Sequence, residues 1–169
     1  MAYTQAQWPF WVQTSATHQD RQGTDISRQI ERLTQSRYTC LKLLDKTLSP
    51  EGYQALFSGA ISIQPYSETD FLDRVSGVTL DALAAGCPVI VTANTWLGRV
   101  VLKHNAGVAT HDLSPAGLRV AIQMVLSDYS GYSHRAAIAG QALRQEHSAA
   151  SMMAVIFPST VESVAQPLT

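Results

Sequence analysis

The sequence is short of charge: Lys, Arg, Asp and Glu make up 15% of its 169 residues, against about 25% in an average soluble domain. Gln, Ser and Thr stand in their place. Such a surface is either neutral and polar or partly covered by another domain or subunit. Neither sign is in excess, with 12 basic and 13 acidic residues and a formal net charge of −1. That excludes the electrostatic footprint of sequence-independent nucleic-acid binding or of an anionic membrane surface. Cysteine is nearly absent, and Cys40 and Cys87 both lie inside apolar stretches, where a thiol behaves as a small hydrophobe. They read as buried thiols rather than as a disulfide. Neither has a Cys or His nearby, and His18, His104, His111, His134 and His147 are scattered, so metal-ligand spacing is missing. Long apolar runs are missing too. The longest, residues 82–93, is interrupted by Gly, Pro and Thr and falls short of the ~18 residues a membrane helix needs. The first residues lack the basic region and apolar core of a signal peptide. The expectation is a soluble, cytoplasmic protein with no transmembrane segment.

What is present is an alternation of short apolar strands and amphipathic helices. Residues 10–12 open the series as a strand, with residues 1–9 as an extension before it. A polar loop containing Gly23 leads to a helix capped by Thr24, whose Ile26, Ile30 and Leu33 share one face of a 3.6-residue period. Residues 39–44 read as the next strand. Ser49-Pro50-Glu51 reads as N-cap, N1 proline and first-turn acid of a helix through Tyr53, Leu56 and Phe57. Residues 60–64 alternate and are stopped by Pro65. After a polar loop over 67–75, Ser76-Gly77 opens a helix that Gly86 closes, ahead of Pro88. Residues 89–92 have the near-continuous apolar pattern of a strand buried on both faces. A helix over 97–103 and a strand over 107–109 follow. Ser114-Pro115 starts another helix, with Leu118, Ala121, Ile122, Val125 and Leu126 on one face. Residues 131–146 and 149–156 complete the helices, with Met152 and Met153 expected in the core and a tail over 158–169. Trp8 and Trp11, in and before the first strand, suggest an apolar face for a missing strand or a partner. His104 and His111 are expected at the polar surface or satisfied in the core.

Strand and helix alternating in this way predict an α/β domain over 10–157, a Rossmann-like parallel sheet flanked by helices. Ligands of such sheets bind beyond the carboxyl ends of the strands, which selects the loops after Gln64 and Thr92. The first leads into Asp73-Arg74-Val75-Ser76-Gly77-Val78-Thr79-Leu80-Asp81. A helix starting at Ser76-Gly77 offers unpaired amides and a positive dipole end, and Gly77 has no Cβ to keep an anion away. A phosphate fits there. Arg74 adds a forked cation, and Asp81 can accept two hydroxyls of a ribose. Without a ligand, the same residues read as an N-cap, a solvated loop charge and a surface acid. Trp96 and Arg99 follow the central strand and face the edge of this site, Trp96 as packing or as a stacking platform.

The stretch from Arg74-Val75-Ser76-Gly77-Val78-Thr79-Leu80-Asp81 through Ala82-Leu83-Ala84-Ala85-Gly86-Cys87-Pro88-Val89-Ile90-Val91-Thr92 resembles the signature of GT-B glycosyltransferases, in particular glycosyltransferase family 4. The flanks at 48–53, 59–66, 107–109 and 113–115 resemble the family's neighbouring elements, and the resemblance covers roughly residues 10–147. It implies the nucleotide-sugar half of a GT-B fold and retaining transfer of a sugar from a nucleotide-diphosphate donor, without metal or other cofactor. In the family two glutamates have seven residues between them. Here the register gives Asp73 and Asp81, each a methylene shorter, and Arg74-Val75-Ser76 replaces the family's Gly-Phe-Gly. By resemblance Asp81 holds the ribose, the amides near Ser76, Gly77 and Val78 hold the diphosphate, Asp73 touches the sugar, and Arg74 shares in stabilising the leaving diphosphate as the only cation beside it.

The family's first strand, with the Arg/Lys pair of the loop after it, has no counterpart before Phe10, and neither has the amino-terminal acceptor domain. A domain fragment is therefore expected, inactive alone, that needs the acceptor domain or a partner chain. Homo-oligomerisation and a position at the cytoplasmic face of a membrane are further expectations. Two other readings compete: a catalytically silent α/β module used for oligomerisation or scaffolding, and a nucleotide-sugar epimerase with the same pocket.

Overall fold

The structure, a computed structural model, describes residues 8–14 and 24–156. The expectations for residues 1–7, the Gly23 loop and the tail over 158–169 lie outside the described residues, as do the side chains of Thr24 and Ile26. The chain divides between Gly52 and Tyr53 into two compact units.

In the first unit, β1 (Phe10–Gln13) pairs in parallel with β2 (Leu41–Leu44), Phe10 opposite Leu41 and Gln13 opposite Leu44. Helix α1 (Thr24–Thr34) joins them, with Ile30 and Leu33 half-buried on its inner face. Strand β2 is shorter than expected because Thr39 and Cys40 lie in a turn closed by the Leu41 amide on the Tyr38 carbonyl. Cys40 is in consequence half-buried rather than buried. Tyr38 packs edge-on against Phe10 and its hydroxyl donates to the Trp8 carbonyl at 2.6 Å. Trp11 is largely exposed, its ring covered by the Lys42 ammonium at 4.6 Å. No described residue of this unit is fully buried, which fits the rule that two strands alone hold little core.

Helix α2 (Pro50–Ala55) runs across the division, its first turn capped by Ser49 Oγ, which accepts from the Gly52 amide at 3.1 Å. The second unit then alternates strictly: β3 (Ser62–Gln64), α3 (Gly77–Ala84), β4 (Val89–Thr92), α4 (Trp96–His104), β5 (Gly107–Thr110). Its three strands are parallel in the order β3-β4-β5, Ile63 opposite Ile90 and Ile90 opposite Val108. Central strand β4 is buried along its whole length, as its β-branched run predicts. Leu83 of α3 and Leu97 of α4 are completely buried, each stabilising the unit by about 2 kcal/mol through removal of apolar surface from water.

Helix α3 ends as its sequence directs. Gly86 has φ of +69°, its amide donates to Leu83 and the Cys87 amide donates to Ala82, closing the helix in a left-handed turn. Helices α5 (Pro115–Ser127) and α6 (Tyr129–Glu146) follow. Helix α6 lies directly on α3, backbone against backbone: a Cβ on Gly140 would stand 2.5 Å from the Leu83 carbonyl oxygen.

Three further expectations change. The strands form two small parallel sheets flanked by helices, not one, because β1 and β2 pair only with each other among the described residues. Leu126 is exposed although Ala121, Ile122 and Val125 are buried, since it sits at the margin of the α5 stripe. Helix α7 (Ala149–Ile156) buries none of its residues, so Met152 and Met153 are exposed rather than core; apolar composition alone did not supply a surface to pack on. No described helix is long and apolar enough to cross a membrane.

Candidate functional site

The loop from β3 to α3 is built into the second unit by backbone contacts. Thr92, at the carboxyl end of β4, donates its hydroxyl to the Tyr66 carbonyl at 2.7 Å. Tyr66 and Phe71 stack within the loop, centroids 4.2 Å apart and 18° from parallel. The first turn of α4 then grips the far side. The Trp96 amide donates to the Phe71 carbonyl at 2.9 Å, and the Arg99 guanidinium donates to both the Leu72 carbonyl and Asp73 Oδ1 at 2.8 Å. Sequence reading put Trp96 and Arg99 at the site edge; the structure gives them the task of holding the loop.

Beyond the loop, Ser76 is buried and caps α3, its Oγ accepting from the Thr79 amide at 3.3 Å. Buried Thr79 donates its hydroxyl to Gln64 Oε1 at 2.5 Å, and Gln64 Nε2 donates to Ser62 Oγ at 3.0 Å. This polar chain ties the start of α3 to β3 and satisfies groups that burial would otherwise leave unpaired. Sequence reading missed it, because an alternating strand with Gln64 at its end looks like any edge.

The start of α3 faces open space. Apart from its chain neighbours and the backbone of its own helix, no described atom lies within 4 Å of where a Cβ on Gly77 would be, and the amides of Gly77 and Val78 make no hydrogen bond among the described residues. Asp81, one turn further, is exposed and accepts from the Tyr53 hydroxyl at 3.1 Å through Oδ2. Tyr53 is pushed up to about 12, first by burial and then by the hydrogen bond and charge of Asp81. Its role left no local signal, since the sequence showed only an aromatic on α2.

The sequence-predicted residues thus divide. Ser76, Gly77, Val78 and Asp81 lie along the first turns of α3. Asp73 turns instead to Arg99, with its side chain largely exposed. Arg74 rests its guanidinium 5.2 Å over the Phe71 ring and is not the only cation at the loop, because Arg99 reaches it from α4. His104, expected at the surface or satisfied, has a buried Nε2 with no partner among the described residues. His111 is exposed. Cys87 is buried, and burial pushes its thiol up to about 11. Among the described residues no group of three His, Cys, Asp or Glu is placed to hold a metal ion.

These features define an α/β protein with parallel strands and an open helix start at the carboxyl end of its sheet. Set against family models, curated proteins and solved structures, the chain matches none of them.

Proposed function

We propose that this chain binds a nucleotide-diphosphate sugar at the start of α3, as the donor domain of a retaining glycosyltransferase of the GT-B kind. The observation that carries the reading is the pairing of unoccupied Gly77 and Val78 amides, over an unobstructed approach, with an acidic group one turn along the same helix. The amides and the helix dipole take the diphosphate. Asp81, steadied by Tyr53 through one oxygen, offers the other to the ribose hydroxyls. Asp73 is assigned to the sugar and Arg74 to the charge that grows on the leaving diphosphate. In the joined enzyme the bond from the anomeric carbon to the diphosphate breaks and a bond to an acceptor oxygen forms on the same face, the acceptor's hydroxyl proton passing to the departing diphosphate. Positioning and charge stabilisation supply most of the rate, as in other transfers of this type. The amino-terminal acceptor domain or a partner chain supplies the rest of the cleft. The resemblance over residues 74–92 supports this assignment, and Asp in place of both family glutamates shortens its reach.

The test is a titration of the chain with UDP, GDP, ADP and a UDP-sugar, followed by amide shifts. Saturable shifts at Ser76, Gly77 and Asp81 for one nucleotide, weakened about tenfold by Asp81→Ala through loss of a charge-assisted contact, are the expected result. A well-folded chain that gives no shift with any nucleotide at millimolar concentration overturns donor binding by this chain and leaves the silent-module reading.

A further inference from the structure

A concave site lies between α4 and the end of α6. Residues three and four apart on a helix share a face, and here Trp96, Val100 and Lys103 line a cleft of about 190 Å³ against Leu143, Glu146 and the capping residue His147 at the end of α6, with Arg99 at its rim. Its floor is apolar and rigid, since Val100 and Leu143 are buried. One wall is aromatic: the Trp96 and His147 rings stand 6.3 Å apart at 59°. The rim carries two cations, Arg99 and Lys103, and one carboxylate, Glu146. Arg99 is committed to Leu72 and Asp73. Among the described residues Lys103 is held only by Glu146, at 3.6 Å, with both side chains more than half exposed. Exposed pairs of that kind exchange partners at little cost.

We propose that this cleft binds a small aromatic carboxylate, its ring on the Val100–Leu143 floor beside Trp96 and its carboxylate on the Lys103 ammonium in place of Glu146. The size of the cleft sets the class, being below the ~300–1,000 Å³ of pockets that take drug-sized molecules and so suited to a single ring. The indole selects a flat body, and the loosely held Lys103 ammonium selects an anion. Nothing in this inference rests on nucleotide binding at α3.

The test uses the full chain, with benzoate as probe and its neutral isostere benzamide as control, followed through the Trp96 indole N–H and the Val100 and Leu143 amides. Trp8→Phe and Trp11→Phe variants assign the indole signal. Benzoate is expected to saturate these signals, with benzamide about tenfold weaker, the size of one charge-assisted hydrogen bond. Lys103→Gln is expected to weaken benzoate by a similar factor, and Glu146→Gln, which removes the competing carboxylate, to tighten it. Lys103 and Glu146 are exposed, so neither variant threatens the fold. Absence of saturation, equal binding of benzamide, indifference to Lys103→Gln or weakening by Glu146→Gln each overturns the proposal.

Discussion

The Tyr53 hydroxyl donates to Oδ2 of Asp81 across 3.1 Å, joining residues 28 positions apart in the chain. Burial holds the phenol neutral by penalising the phenolate, and the hydrogen bond to the Asp81 carboxylate adds to the effect. The folded value of about 12 lies above the ordinary 10, so the unfolded chain releases this proton first as pH rises. The stability it lends is complete below the ordinary value and is lost as pH climbs through the folded one. Tyrosinate absorbance is expected to lose one late-titrating phenol in Tyr53→Phe, while Tyr129, which burial also raises, remains in both. Asp81→Asn should bring Tyr53 down only part of the way, because burial is the larger cause.

Arg99 holds the β3–α3 loop from outside, through Leu72 and Asp73. Both partners of its ion pair are more than half exposed, so Arg99→Gln should change global stability by less than about 1 kcal/mol. The local effect should be larger. The Trp96 amide, which donates to the Phe71 carbonyl of the same loop, is expected to exchange its hydrogen faster in the variant, while amides of β4 keep their protection.

Two glycines of the second unit should differ in cost. A Cβ on Gly140 would press on the backbone of Leu83 and Ala84, so Gly140→Ala must part α3 from α6, at about 1–3 kcal/mol. At Gly86 an added Cβ meets only ordinary contacts, the nearest 3.5 Å away, and Gly86→Ala carries the left-handed strain alone, about 1–2 kcal/mol. Urea midpoints of the two variants check the order.

The two thiols should separate by reactivity. Burial raises Cys87 from 9.0 to about 11, lowering its thiolate fraction near neutral pH about a hundredfold, whereas Cys40 is half-buried. A thiol reagent is expected to label Cys40 in the native chain and Cys87 only after denaturant is added.

Much of the second unit was legible because its signals are local. Ser76 and Ser114 each stand three residues before the amide they cap, and Gly86 marks the end of α3 because only glycine takes a left-handed turn without strain. The β-branched run of β4 announced its double-sided burial. The exposed helix α7 was not legible, since Met and Val look alike in a core and on an unpartnered helix. Nor was the edge of α5, where a stripe of five apolar residues keeps Leu126 out of the core.

The same division runs through the candidate site. By itself the sequence determined the helix start at Ser76-Gly77, the acid at Asp81 and the polar loop before them, because capping, dipole and turn chemistry act over three or four residues. Only the tertiary structure decided that Tyr53 meets Asp81, that Arg99 takes Asp73, and that the strands divide into two sheets. Each of those is a contact between segments far apart in the chain, set by which edges and faces packing brings together, and no local pattern encodes it.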